Sequence, residues 1–66
     1  MKNYIKVERA KKDLTQEKLA EIIGVSRQTI NSMEKGKYVP STVLALKMSK
    51  LFGIAVNEFM ELEDGD

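Results

Sequence analysis

The 66-residue sequence contains no cysteine and no histidine, and it has a single proline. Without cysteine there are no disulfide bonds or thiolate ligands. Without histidine the usual zinc sites and the common nucleophile–histidine arrangements are excluded. No apolar run is long enough to span a membrane, and the start Met1-Lys2-Asn3 lacks the apolar stretch of a secretory signal. These absences predict a cytoplasmic protein that is not an enzyme and that uses no metal, cofactor, small-molecule ligand or membrane.

The short length limits how the chain is stabilised. A domain of 66 residues buries only a modest core. Such domains need disulfides, a metal, very regular helices or a second subunit. Since the first two are excluded, helical packing and oligomerisation remain. We find no internal repeat, low-complexity run or linker, so residues 1–66 are expected to form a single domain.

Positive charge is concentrated in the first fifty residues, although the formal net charge is only +1. Residues 1–50 hold all eleven lysines and arginines beside five acids, which gives +6, whereas residues 51–66 hold five acids and no base, which gives −5. A basic body with an acidic tail would direct its positive side toward a polyanion such as nucleic acid. A solvated surface with uneven charge is the other interpretation.

Apolar residues at helical spacing predict five helices, at residues 3–12, 16–23, 27–35, 42–52 and 56–60. Serine, threonine and glycine residues mark the helix ends as N-caps and C-terminal stops: Thr15, Ser26, Ser41, Gly24, Gly36 and Gly53. The predicted core consists of apolar residues on the inner faces: Ile5, Leu14, Leu19, Ala20, Ile23, Ile30, Met33, Val43, Leu44 or Leu46, Leu51 or Phe52, Val56 and Phe59. Residues 60–63 alternate apolar and acidic side chains, a weak strand signal, which predicts pairing with residues 1–4.

Residues 16–36 carry the most informative pattern. The two helices in this segment are joined by only Gly24-Val25-Ser26, so they must cross steeply instead of lying antiparallel. Ala20 supplies a small residue where the helices touch, and Gly24 supplies the turn. Apolar residues surround the joint: Leu19, Ile23, Val25, Ile30 and Met33. Together these features predict a helix-turn-helix.

The second helix of this pair has a polar outer face. With Ile30 and Met33 inside, the opposite side carries Arg27, Gln28, Asn31, Ser32 and Lys35. Arginine binds guanine in two places at once, and glutamine and asparagine do the same for adenine. The other interpretation is a polar solvated face. It fits less well because an ordinary exposed helix mixes glutamate with lysine, and here the only acid, Glu34, lies between the exposed face and the core. Arg27, Gln28, Asn31 and Ser32 are therefore the predicted base contacts.

A half-buried carboxylate needs a partner, and we expect Glu34 to form an ion pair with Arg9. Phosphate contacts should surround the predicted helix 27–35, which we call the recognition helix. Gln16 begins the preceding helix, where free backbone N–H groups attract anions. Lys35, Lys37 and the loop 36–40, which includes Tyr38, are the predicted contacts on the other side.

These residues resemble the lambda-repressor-like, or Xre-type, helix-turn-helix family. The matching segments are Leu14-Thr15-Gln16-Glu17-Lys18-Leu19-Ala20, Gly24-Val25-Ser26-Arg27-Gln28-Thr29-Ile30, Met33-Glu34-Lys35-Gly36 and Pro40-Ser41. The resemblance covers roughly residues 4–60. It is strongest to short stand-alone dimeric regulators of the cytolysin-repressor type.

The resemblance implies a compact, all-α, five-helix DNA-binding domain. It implies that Ser26 also lies at the DNA, where we expect it to contact a phosphate. It implies a small antiparallel ribbon formed by the chain ends. It further implies a C-terminal dimerisation region at about residues 54–63, with Phe59, Met60 and Leu62 as the candidates.

The predicted function is sequence-specific binding of double-stranded DNA by a transcriptional regulator. A homodimeric repressor would recognise a near-palindromic operator through the major groove, with half-sites roughly 10–11 base pairs apart. Activation of transcription is the alternative to repression. The alternative from another class is a protein-interaction module, such as an antitoxin or a coactivator, that uses the same fold as a docking surface.

Overall fold

The computed structural model describes all of residues 1–66. Two short strands and five helices follow one another in the order β1 (Lys2–Asn3), α1 (Ile5–Lys11), α2 (Gln16–Ile23), α3 (Arg27–Glu34), α4 (Thr42–Phe52), α5 (Val56–Phe59) and β2 (Met60–Glu61). The predicted fold class, five helices with a small antiparallel ribbon from the termini, is confirmed. None of the helices is long and apolar enough to cross a membrane.

Three helices begin at hydroxyl N-caps that the sequence predicts. Thr15 Oγ1 accepts a hydrogen bond from the Lys18 backbone N–H at 3.0 Å, and Ser26 Oγ accepts one from Thr29 at 3.1 Å. Ser41 Oγ does the same for Leu44 at 3.2 Å. Each bond satisfies a backbone donor that the first helical turn leaves without a partner, so α2, α3 and α4 begin where the sequence predicts.

The first helix is shorter than the predicted span of 3–12. Lys2 pairs with Glu61, and Asn3 pairs with Met60, in an antiparallel ribbon that holds the chain start extended. The helix therefore begins at Ile5, and Asp13 at φ 55° reverses the chain just after it ends.

The core is entirely apolar and receives residues from all five helices and the second strand. Its eleven members are Ile5, Leu19, Ala20, Ile23, Ile30, Met33, Ala45, Met48, Phe52, Phe59 and Met60. The rings of Phe52 and Phe59 meet edge to face with their centroids 5.3 Å apart, an arrangement that aromatic pairs favour.

The predicted inner face of α4 is partly wrong. Val43 and Leu46 are 62% and 58% exposed, whereas Ala45, Met48 and Phe52 are buried. The buried residues are spaced by three and four positions, so they share one helical face that excludes Val43 and Leu46. Apolar residues occur on both sides of this helix, and the sequence pattern alone did not identify the side that faces inward.

The chain ends are joined beyond the ribbon as well. The Met1 ammonium lies 3.1 Å from Asp66 Oδ1 and 3.2 Å from Glu63 Oε1. Hydrogen bonds to Asp66, which has the larger effect, and to Glu63 raise the pKa of the Met1 ammonium above its usual value. The Glu63 backbone N–H and the Met1 ammonium lower the pKa of Asp66. All of these groups lie at the surface, so the contacts are screened by solvent.

Candidate nucleic-acid interface

Helix α3 presents one buried face and one open face. Ile30 and Met33 have no exposed surface, and they fasten the helix to the core. Arg27 and Gln28 lie in the first turn and are exposed, and Asn31 and Ser32 follow four residues later and are half-buried. Since residues four apart lie above one another on a helix, the four predicted base contacts form a continuous polar strip on α3.

Glu34 lies at the edge of this strip and is bound by two other helices. Arg9 Nε lies 2.7 Å from Glu34 Oε2, and Arg9 Nη2 lies 3.2 Å from Glu34 Oε1. Arg9 Nη1 also donates to the Leu14 carbonyl at 2.7 Å. The Glu34 side chain is only 5% exposed. The pair therefore has the two-pronged arginine–carboxylate geometry, and it neutralises the one acid of the recognition helix.

Gln16 extends this network to the polar strip of α3. Its Nε2 donates to Glu34 Oε1 at 3.0 Å and to Asn31 Oδ1 at 3.3 Å. Both hydrogens of the Gln16 amide are thus directed at protein acceptors. The contact also fixes the orientation of the Asn31 amide, which keeps its two N–H donors and one oxygen lone pair for a further partner.

The predicted phosphate-contacting residues surround the two ends of α3. Ser26 is exposed at the start, but its hydroxyl already caps the helix and contacts Thr29 Oγ1 at 2.9 Å. Lys35, Lys37 and Tyr38 are exposed at the other end. The chain turns there through Gly36 at φ 75°, a left-handed conformation that favours glycine.

The charge of this surface is positive. Arg27, Lys35 and Lys37 are exposed on α3 and the following turn, and no acid lies exposed between Ser26 and Tyr38. The pocket of the molecule, with a volume of about 400 Å³, lies elsewhere, between α2 and α4, and it contains none of the predicted DNA-contacting residues. An open polar strip flanked by cations is the arrangement that suits a duplex groove and its phosphates.

Comparison with known proteins identifies the family. The sequence profile described as "Helix-turn-helix" matches residues 5–59. The chain belongs to this helix-turn-helix family. It is 52% identical over 66 residues to an HTH-type transcriptional regulator of Methanocaldococcus jannaschii, with all of both chains covered. The family places the protein among DNA-binding regulators and not among enzymes.

Solved structures show the same helix-turn-helix fold. The restriction-modification controller protein C.AhdI of Aeromonas hydrophila superposes with a TM-score of 0.75 at 30% identity, covering 85% of each chain. The SOS-response repressor LexA of Eubacterium rectale superposes with a TM-score of 0.79 at 29% identity, covering 94% of this chain and 66% of that one. The resemblance to the lambda-repressor-like family that the sequence predicted is therefore confirmed.

The three predicted dimer residues of this helix-turn-helix protein differ in how much surface they expose. Phe59 has no exposed surface and Met60 has 9%, because both pack into the core of the single chain. These two side chains therefore present little or no surface to a second subunit in this conformation. Leu62 is 80% exposed, and it is the one predicted dimer residue that presents apolar surface. Sequence patterns do not distinguish an apolar residue that fills its own core from one that joins two chains.

Asn3 of β1 contacts the helix-turn-helix unit, and the sequence did not predict this contact. Its Nδ2 donates to the Met33 carbonyl at 2.8 Å, and its Oδ1 accepts from the Ile5 N–H at 3.1 Å. An asparagine just before a helix is a familiar start signal, but the bond to Met33 spans thirty residues and leaves no local pattern.

Proposed function

We propose that the protein is a homodimeric repressor that recognises a near-palindromic operator by inserting α3 into the major groove. The observation that carries the proposal is the polar strip of α3. Arg27 and Gln28 are open to solvent on a helix whose opposite side is completely buried. The rigid support keeps these side chains on one exposed surface, as bidentate contacts to base edges require.

The neutralisation of Glu34 supports this proposal. An unpaired carboxylate beside Asn31 would repel the phosphates that border a groove, because like charges repel each other. Here Arg9 and Gln16 occupy both oxygens of Glu34. The strip therefore presents Arg27 and neutral amides without a competing negative charge.

Phosphate contacts would come from both sides of the strip. At the start of α2, the backbone N–H groups of the first turn have no intrahelical partners and attract anions. We propose that a phosphate meets these groups at Gln16, since its side-chain amide is engaged with Glu34 and Asn31. Lys35, Lys37 and Tyr38 would hold the backbone at the other end of α3.

The size of the domain supports a dimer. Its longest dimension is 32 Å, about the length of one turn of B-DNA, which is roughly 34 Å. One domain thus spans a single major-groove segment, and a second copy is needed to contact the next. We propose the C-terminal region 54–63 as the interface, with Leu62 and the half-buried Ile54 and Val56 as its apolar surface.

Repression by occlusion is the proposed mechanism. A dimer on two adjacent half-sites covers about two turns of DNA, which is enough to block a promoter. The likeness to a LexA repressor fits this mechanism, and a 39% identical relative of Enterococcus faecalis that is a transcriptional activator leaves activation as the alternative. The operator of a transcriptional regulator lies on the chromosome inside the cell, so we propose the cytoplasm as the location of this protein.

The test is selection of bound sequences from random duplex DNA, followed by measurement of affinity for the enriched site. We expect a two-fold symmetric site. We expect Arg27→Ala and Gln28→Ala each to weaken binding to it by about 1–3 kcal/mol, since each removes one bidentate base contact.

The matched control is Lys6→Ala, which removes an exposed positive charge from α1 and leaves α3 intact. It should lower affinity for all DNA slightly and equally. Selection that yields no enriched sequence would refute DNA recognition. An enriched site without symmetry would refute the dimer. Wild-type affinity in both α3 variants would indicate that this face serves a protein partner instead.

A further inference from the structure

The end of the recognition helix is attached to the ribbon formed by the chain termini. Asn3 Nδ2 in β1 donates to the Met33 carbonyl at 2.8 Å. The same carbonyl accepts the Gly36 N–H at 3.0 Å. Met33 lies in the last turn of α3, where carbonyl groups lack intrahelical partners. Both lone pairs of this carbonyl are therefore used, one by the turn that follows α3 and one by Asn3.

The other half of the Asn3 amide starts a different element. Its Oδ1 accepts the backbone N–H of Ile5 at 3.1 Å, at the first residue of α1. One side chain thus supplies a donor to the end of α3 and an acceptor to the start of α1. Aspartate of the same size lacks the donor, and no apolar isostere offers either group.

The ribbon that carries Asn3 is itself held at several points. Asn3 pairs with Met60, and the neighbouring Tyr4 N–H donates to the Phe59 carbonyl at 2.8 Å. On the other side, the Met1 carbonyl lies 3.9 Å from the position that a Cβ on Gly36 would occupy. The chain start therefore lies between Phe59 and Met60 on one side and the turn that leads to Lys37 and Tyr38 on the other.

We propose that Asn3 is a positioning residue for DNA recognition. It fixes the last turn of α3 and the following basic turn against the terminal ribbon, so that the base-contacting strip and Lys35–Tyr38 meet one DNA site in a single geometry. Helix α3 has only eight residues, and so short a helix is not stable by itself. The Arg9–Glu34 pair holds one side of its last turn, and Asn3 holds the backbone of that turn. The inference rests on the proposed function, because it concerns how α3 contacts DNA.

Two variants of Asn3 separate its two bonds. Asn3→Asp keeps an acceptor for the Ile5 N–H and replaces the donor by an oxygen facing the Met33 carbonyl. Asn3→Ser keeps a hydroxyl acceptor for the same N–H without adding charge, and it is too short to reach Met33. Lys12→Ala is the control, since Lys12 is exposed at the end of α1, outside both proposed interfaces, and its substitution makes the same change in net charge as Asn3→Asp.

The first measurement is amide hydrogen exchange in the free protein, at a temperature where circular dichroism shows every variant folded. We expect faster exchange at residues 33–38 in both Asn3 variants and wild-type exchange there in Lys12→Ala. The second measurement is the ratio of affinities for the selected site and for random DNA. We expect this ratio to fall about three-fold to ten-fold in the Asn3 variants, the range for one lost hydrogen bond.

A purely structural role would give a different result. Binding to selected and random DNA would then fall together, in proportion to the loss of folded protein, and the ratio of affinities would not change. That outcome, or wild-type exchange at residues 33–38, would overturn the proposal. If the wild-type protein selects no sequence at all, the proposed function fails, whereas the exchange measurement still decides whether Asn3 holds the end of α3.

Discussion

Glu34 shows how a single side chain joins three helices. Its carboxylate is 5% exposed and accepts hydrogen bonds from Arg9 on α1 and Gln16 on α2. The sequence predicted the ion pair because one acid stood alone at the edge of a basic helix face. The hydrogen bonds from Gln16 to Glu34 and Asn31 were not predicted, since they depend on the crossing angle of α2 and α3, and residue types alone do not determine that angle.

Replacement of Arg9 by methionine should destabilise the fold. Arg9→Met keeps the aliphatic volume but leaves the Glu34 carboxylate buried without its cation. Removing one partner of a buried pair costs about 3–5 kcal/mol, and we expect that loss in the free energy of unfolding measured with urea. The control is Lys11→Met on the same helix. Lys11 forms an ion pair with Glu8, but its side chain is 65% exposed. This substitution should change stability by less than about 1 kcal/mol. Equal losses in the two variants would show that Glu34 does not depend on Arg9.

At the scale of elements, the residues that cap and stop helices predicted the structure better than the spacing of apolar residues did. The predicted spans 16–23 and 42–52 agree with α2 and α4, because hydroxyl caps and glycine stops act through local hydrogen bonds. The start of α1 was predicted two residues too early, since pairing with Met60 and Glu61 holds Lys2 and Asn3 extended. The inner face of α4 was ambiguous because this helix is apolar on both sides.

The glycine between α2 and α3 provides a test at this scale. Gly24 ends α2 at φ 80°, and a Cβ there would meet only Lys47 Nζ at 3.9 Å. Gly53 ends α4 at φ 72° with nothing within 4 Å. Space is therefore available at both sites, and the cost of alanine is only that of a left-handed backbone, about 1–2 kcal/mol.

We expect Gly24→Ala and Gly53→Ala to lower the free energy of unfolding by similar amounts, measured by thermal and urea denaturation. A much larger loss at Gly24 would mean that the helix-turn-helix crossing itself requires the absence of a Cβ. In that case steric exclusion, and not backbone conformation, would explain this glycine.

At the scale of the molecule, charge is distributed unevenly around a nearly neutral total. The basic residues lie within the first fifty positions, and the acids Glu61, Glu63, Asp64 and Asp66 lie on the exposed tail. This asymmetry was visible in the sequence. The burial of Phe59 and Met60 was not visible in the sequence, because both residues look equally suitable for a core or for a dimer interface until the packing around Phe52 is known.

The salt dependence of DNA binding tests the proposed phosphate contacts. Each lysine that neutralises a phosphate releases condensed counterions, so the logarithm of affinity falls linearly with the logarithm of salt concentration. We expect Lys35→Ala and Lys37→Ala each to reduce the magnitude of this slope by about 1, with little change in sequence preference. Lys12→Ala, a lysine at the end of α1, should leave the slope unchanged. A slope that stays at the wild-type value in both loop variants would remove these lysines from the interface.

The antiparallel pairing of the chain ends has a practical consequence for engineering. Because the Met1 nitrogen lies 3.1 Å from an Asp66 side-chain oxygen, a linker of a few residues is enough to close the backbone into a ring. A circularised protein, or a permutant with new ends opened in an exposed loop, should therefore keep its topology. For the same reason, purification tags fused to either end of the chain would leave the molecule close together, near the turn at Gly36.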